Sequence, residues 1–152
     1  LRDELSLGLA DLERRCDVLH AAKNVGASIA SGSFKARGMI VAPCSINTLS
    51  EIATGTTSSL LSRAADVTLK ERRRLVLMVR ESPLHLGHLR AMTQACEIGA
   101  IIAPPVPAFY AKPQSLEEMV HYTVARALDL FDLNVEIPRW QGLGSDRQKP
   151  RD

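Results

Sequence analysis

Three short apolar runs, spaced by segments of helical period, point to an α/β domain built on a parallel sheet. The runs are residues 39–42, 75–79 and 100–103. Each is too short for a helix and has the aliphatic character of a strand buried on both faces. Strand, helix, strand, helix, strand, helix is the alternation of a doubly wound sheet.

The elements follow in chain order. Leu5, Leu9, Leu12 and Cys16 recur with charges between them, so residues 1–17 predict a helix. Residues 20–37 are small, polar and rich in Gly and Ser, and predict a loop. The run at 39–42 predicts a strand stopped by Pro43, Cys44 and Ser45. Ser45 or Asn47 can then cap a helix reaching about Thr54. Residues 58–67 predict a further helix. Residues 75–79 are the clearest strand, with Lys70, Glu71 and three arginines before it and Arg80 and Glu81 after it. Residues 84–96 predict a helix ended by Gly99, and residues 100–103 a third strand. Pro104, Pro105 and Pro107 mark a loop leading to Phe109 and Tyr110. Ser115 with Glu118 is a capping box that opens a helix to about Leu130. The division expected is one domain over residues 1–133 and a tail over 134–152, disordered beyond Trp140.

Composition narrows the function. A chain of 152 residues, 45% apolar and 24% charged, is an ordinary globular domain able to bury a core without a disulfide or metal staple. A net charge of +2 and only 4% aromatic residues argue against a nucleic-acid partner. The longest weakly polar run, residues 99–111, is broken by three prolines and predicts no membrane span. Three scattered cysteines and no visible signal peptide suggest a reducing cytoplasm.

In open parallel sheets, ligands bind beyond the carboxyl ends of the strands. That draws attention to Cys44 and Ser45, to Arg80 and Glu81, and to the loop 104–110. Ser45, Ile46, Asn47 and Thr48 place hydroxyls and amides at a helix N-terminus, which favours an anion, although an ordinary cap looks the same. Arg80 supplies a forked donor and Glu81 a proton carrier, or the two form an exposed ion pair. Ser31, Gly32 and Ser33 can cradle a phosphate or be a plain linker. Cys44 reads as a small core residue rather than a nucleophile. His85 and His88 stand at i and i+3, but no third ligand is in sight and no metal is expected.

At these residues the chain resembles the UbiX family of flavin prenyltransferases. The stretches that carry the likeness are ASGSFKARGMIVAPCSINTLSEIATG, LLSRAADVTLKERRRLVLMVRESPLHLGHLRAM and EIGAIIAPPVPAFYAKPQSLEEMVHYTVARALDLF, with Pro138, Arg139 and Trp140 also fitting. The resemblance implies a Rossmann-like three-layer α/β/α flavoprotein, metal-independent, that joins a dimethylallyl group from dimethylallyl phosphate to N5 and C6 of reduced FMN. The product would serve a UbiD-type decarboxylase. By similarity, Ser45, Ile46, Asn47, Thr48 and Arg80 would hold FMN, with Ser31 and Ser33 lining its pocket. Tyr110 and Arg126 would grip the prenyl phosphate, supported by Lys70 and Arg63, with Trp140 closing the site. Glu81, Lys70 and Tyr110 would be the catalytic set, Glu81 as the acid/base group. The family also implies a homo-oligomer built from trimers, up to a dodecamer.

The sequence departs from the family pattern at its start. The opening strand, its Gly-Ala-Ser-Gly phosphate loop, a helix and a second strand are not present, so the domain is expected to be N-terminally incomplete. Two other readings remain: an FMN-dependent cysteine decarboxylase of the related flavoprotein type, and a non-catalytic FMN-binding subunit of a decarboxylase complex.

Overall fold

The computed structural model describes residues 8–139. Its elements are α1 (Leu9–Glu13), a 3-10 turn at Ser28–Ala30, β1 (Gly38–Cys44), α2 (Ile46–Thr54), α3 (Leu60–Lys70), β2 (Arg74–Val79), α4 (Leu86–Glu97), β3 (Ala100–Ile102), a 3-10 turn at Phe109–Ala111 and α5 (Leu116–Asp129). The three strands pair in parallel in the order β1-β2-β3. Trp140 and the tail beyond it lie outside the described residues.

β2 explains the layering. Its side chains alternate, so Leu75, Leu77 and Val79 face one side while Val76 and Met78 face the other. The first set packs with Leu49, Ile52 and Ala53 of α2, Ala65 of α3 and Ala95 of α4. The second packs with Ala127 of α5 and Phe131 just past its end. Both crossovers therefore run over the same face, and α5 alone, among the described residues, forms the third layer. Leu49, Leu75 and Leu77 are completely buried; truncating such a residue to Ala costs about 2–5 kcal/mol.

Local sequence accounts for most boundaries. Ser59 caps α3 by accepting the Ser62 N–H, and α3 runs to Lys70, a turn beyond the expected end at Val67. Ser115 caps α5 by accepting the Glu118 N–H at 3.1 Å. The Glu118 carboxylate reaches back to the Gln114 N–H at 2.7 Å, one residue earlier than a strict capping box requires.

Two expectations need correcting. β1 does not stop at Pro43 but passes through it to Cys44. Its register slips between Val41 and Cys44, where β2 advances only from Leu77 to Val79. That bulge removes the need for the N–H that proline lacks. The helix expected over residues 1–17 is, among the described residues, only Leu9–Glu13, with no buried side chain to anchor it; Cys16 lies outside it and is exposed.

Candidate active site

The turn from β1 to α2 comes first. Ser45 takes an extended conformation, and its hydroxyl accepts the Thr48 N–H at 3.2 Å and donates to Thr48 Oγ1 at 3.1 Å. A helix cannot satisfy its own first N–H groups. Those of Ile46 and Asn47 open at the carboxyl end of the sheet, where the helix dipole favours an anion. The Asn47 side chain donates to Glu51 at 3.2 Å. Glu51 also receives the Ser58 hydroxyl at 2.7 Å, which holds its carboxyl below the usual range. Cys44 is fully buried and burial pushes its thiol up to about 11, so it is no thiolate nucleophile.

The end of β2 is stitched to this turn. The Arg80 N–H donates to the Cys44 carbonyl at 3.1 Å. Glu81 follows, exposed, with one carboxylate oxygen accepting the Ser82 N–H at 3.0 Å. Arg80, Glu81 and Ser82 face Pro104, Pro105 and Val106 across an open cavity of about 490 Å³. That volume lies within the range of small-molecule sites, roughly 300–1,000 Å³.

Pro104 and Val106 also wall a smaller niche of about 190 Å³, whose far side carries Tyr122, Thr123 and Arg126 of α5. Tyr110, on its 3-10 turn, has its hydroxyl 2.6 Å from that of Tyr122. Arg126 donates to Asp129 at 2.8 Å, and Asp129 also takes both terminal nitrogens of Arg139, at 2.9 and 3.0 Å. The Arg139 hydrogen bonds, reinforced by Arg126, hold the Asp129 carboxyl below the ordinary aspartate range. Along one rim the fold thus provides helix-end amides, a forked cation, an exposed carboxylate and a second group of arginines beside a phenol. Such a set can bind two phosphates and take up or give a proton at the carboxylate.

The remaining expected residues sit elsewhere. Ser31 and Ser33 bond to each other at 2.9 Å, and Gly32 between them lies against Lys70 and Glu71. Lys70 is ion-paired with Glu71. Arg73 fastens this loop by donating to the carbonyls of Phe34 at 2.6 Å and Gly32 at 2.8 Å. All of this lies at the amino end of the sheet. β2, at about 3.3 Å per residue, separates Lys70 from Glu81 by roughly 20 Å. Arg63 is paired with Asp66 on its own helix at 2.9 Å.

The amino end also holds the larger cleft, about 580 Å³, lined by Arg37, Arg72, Arg73, Arg74 and Asp132 among others. Arg37, Arg73 and Arg74 have structural partners. Arg37 donates to the Phe131 carbonyl just past the end of α5 at 3.0 Å, and Arg74 lies 3.7 Å from Asp132. α3, α4 and α5 all end near this cleft, so cations here answer the negative ends of their dipoles. His85 likewise has a structural role, capping α4 by accepting the Gly87 N–H at 3.0 Å with its ring 3.6 Å from that of His88.

Sequence reasoning did not single out Tyr122 or Asp129. The signal was present as Tyr122, Arg126 and Asp129 at i, i+4 and i+7, one face of a helix.

Comparison with known proteins shows the family. A flavoprotein family model matches residues 9–128. Flavin prenyltransferase UbiX of Escherichia coli K12 is 56% identical over 142 residues, which cover 91% of this chain and 75% of that protein. A probable UbiX-like flavin prenyltransferase of Bacillus subtilis is 47% identical over 150 residues, covering 98% of this chain and 72% of that one. Among solved structures, AnUbiX (PadA1) in complex with FMN and dimethylallyl pyrophosphate superposes with a TM-score of 0.89 at 48% identity, covering 91% of this chain and 74% of that one. A dodecameric FMN-dependent Ubix-like decarboxylase from Escherichia coli O157:H7 gives 0.89 at 44% identity, covering 93% and 77%.

Proposed function

Because this chain belongs to the UbiX family of flavin prenyltransferases, we propose that the carboxyl end of its sheet binds FMN beside dimethylallyl phosphate and joins the two. One observation carries this reading. The amides at residues 45–48, the pair Arg80 and Glu81, and the niche of Tyr122 and Arg126 form one continuous rim, tied by the Arg80 N–H to the Cys44 carbonyl and walled by Pro104 and Val106.

The residues fit an FMN phosphate. α2 offers unsatisfied N–H groups and a positive dipole end, and Arg80 adds a charge within reach of the same turn. Reduced FMN, when bound, supplies the electron-rich ring atoms N5 and C6 that take up the prenyl group. This chain's residues do the rest. Cleavage of an allylic carbon–oxygen bond needs the departing phosphate stabilised, which is work for Arg126 and Tyr110. Bond formation at C6 leaves a ring proton to be removed, and Glu81 is the exposed carboxylate on that rim.

Lys70, Ser31 and Ser33 enter the reading differently. Roughly 20 Å from Glu81, they do not serve the same ligand within one chain. In an assembly, the amino end of one copy meets the carboxyl end of another and each site is shared. The dodecameric relative supports such an assembly. The product is then handed to a UbiD-type decarboxylase, in a reducing cytoplasm that keeps Cys16, Cys44 and Cys96 free. No helix among the described residues is long and apolar enough to cross a membrane.

Incubation with reduced FMN and dimethylallyl phosphate, with the pyrophosphate as a separate arm, followed by mass spectrometry of the flavin, is the test. A gain of one C5H8 unit is expected; an unchanged flavin in both arms refutes the reading.

A further inference from the structure

Tyr122 is only 8% exposed, whereas Tyr110 is 59% exposed. Their hydroxyls lie 2.6 Å apart and their rings meet edge to face at 89°. A buried hydroxyl that fails to donate is costly, while an exposed one can donate to water or ligand. The favoured arrangement has Tyr122 donating to the Tyr110 oxygen. The proton of Tyr110 is then the one that a phosphoryl oxygen can accept. Asp129, with its side chain 14% exposed, does the parallel job for the cations. It takes one nitrogen of Arg126 and two of Arg139, which restricts both side chains and offsets their mutual repulsion. Each guanidinium has five N–H donors and keeps some of them for an anion.

We infer that Tyr122 and Asp129 are positioning residues for the prenyl-phosphate end of the site, Tyr122 setting the hydroxyl of Tyr110 and Asp129 setting Arg126 together with Arg139. The inference rests on the functional reading above. Both residues act through a neighbour.

Tyr122→Phe keeps the ring and removes only the hydroxyl. KM for dimethylallyl phosphate is expected to rise roughly three- to tenfold, with kcat and FMN affinity unchanged. In a Tyr110→Phe background the same substitution adds nothing, because the residue it acts through has already lost its hydroxyl. Asp129→Asn raises the same KM, and Asp129→Glu recovers part of the loss. A wild-type KM in Tyr122→Phe, or penalties that add in the double variant, overturns the role of Tyr122. An equal loss of FMN affinity in Asp129→Asn overturns the role of Asp129. Calorimetric titration of dimethylallyl phosphate repeats the whole series without turnover. If the wild type binds but makes no prenylated flavin, the functional reading fails and the calorimetric series still decides; if it does not bind, both positioning roles fall.

Discussion

The two ends of the sheet carry similar side chains and face opposite fields. At the carboxyl end, the backbone of Arg80 is tied to the turn that opens α2, while Arg126, in the last turn of α5 and paired with Asp129, lines the niche walled by Pro104 and Val106. At the amino end, Arg37, Arg73 and Arg74 sit where α3, α4 and α5 finish, and each is engaged with a carbonyl or with Asp132. The amino-end cleft is the larger, about 580 Å³ against 490 Å³. Volume alone would favour the amino end. An arginine already bonded to a carbonyl at a helix C-terminus closes off backbone; one beside a helix N-terminus adds to a field that attracts anions.

The largest effect expected is at Glu81. Glu81→Gln lowers the rate of product formation about 10²–10⁴-fold while FMN still binds. Mixing subunits of that variant with a Lys70→Ala variant sharpens the comparison. If sites are shared between copies, some mixed sites hold both native residues and activity returns. A mixture as inactive as its components means that the two ends do not cooperate.

Arg126→Ala comes next, weakening dimethylallyl phosphate by about 1.5–3 kcal/mol while FMN is largely spared. Calorimetry with each ligand separates the two, and equal losses would make Arg126 structural. The matching change at the amino end is Arg37→Ala. It should cost about 1 kcal/mol of stability, read from thermal unfolding, with no loss of affinity for either ligand. A loss of prenyl-phosphate affinity like that of Arg126→Ala would place an anion site at the amino end and break the contrast.

The smallest effect concerns pH. With the Asp129 carboxyl depressed by Arg139 and Arg126, what it contributes is present above the unfolded pKa of about 3.9 and is lost only as pH falls through the lower folded value. Its hold on the two arginines is therefore flat from about pH 5 to 8. A difference between wild type and Asp129→Asn that titrates within that window would contradict it.

How much of this could be read from the residues differs by level. β2 was plain because five buried residues in a row leave no other solution than a strand covered on both sides. The Ser45 cap was plain because a hydroxyl before a helix has one local task. Pro43 misled, since a missing donor argues for an end unless a bulge removes the need for it. The clustering of residues 44–45, 80–81 and 104–106 at the carboxyl end was largely legible because β2 is short and its ends are marked by charge. That Lys70 lies far from Glu81 was not, although the two are close in sequence, because a strand turns nearness along the chain into distance in space. Tyr122 was hidden for the opposite reason: its partner Tyr110 sits in a proline-rich loop whose path no periodicity encodes.

Cys44 gives the turn from β1 to α2 a clock. Its thiol is sealed in the core one residue ahead of the capping Ser45, while Cys16 and Cys96 are exposed. Alkylating reagents therefore mark those two at once and reach Cys44 only when the junction of β1 and α2 opens. The rate at which that third label appears reports opening of the segment that would carry the ligand. A molecule seated against residues 45–48 would slow it in proportion to occupancy, turning an inert side chain into an optical-free reporter of binding.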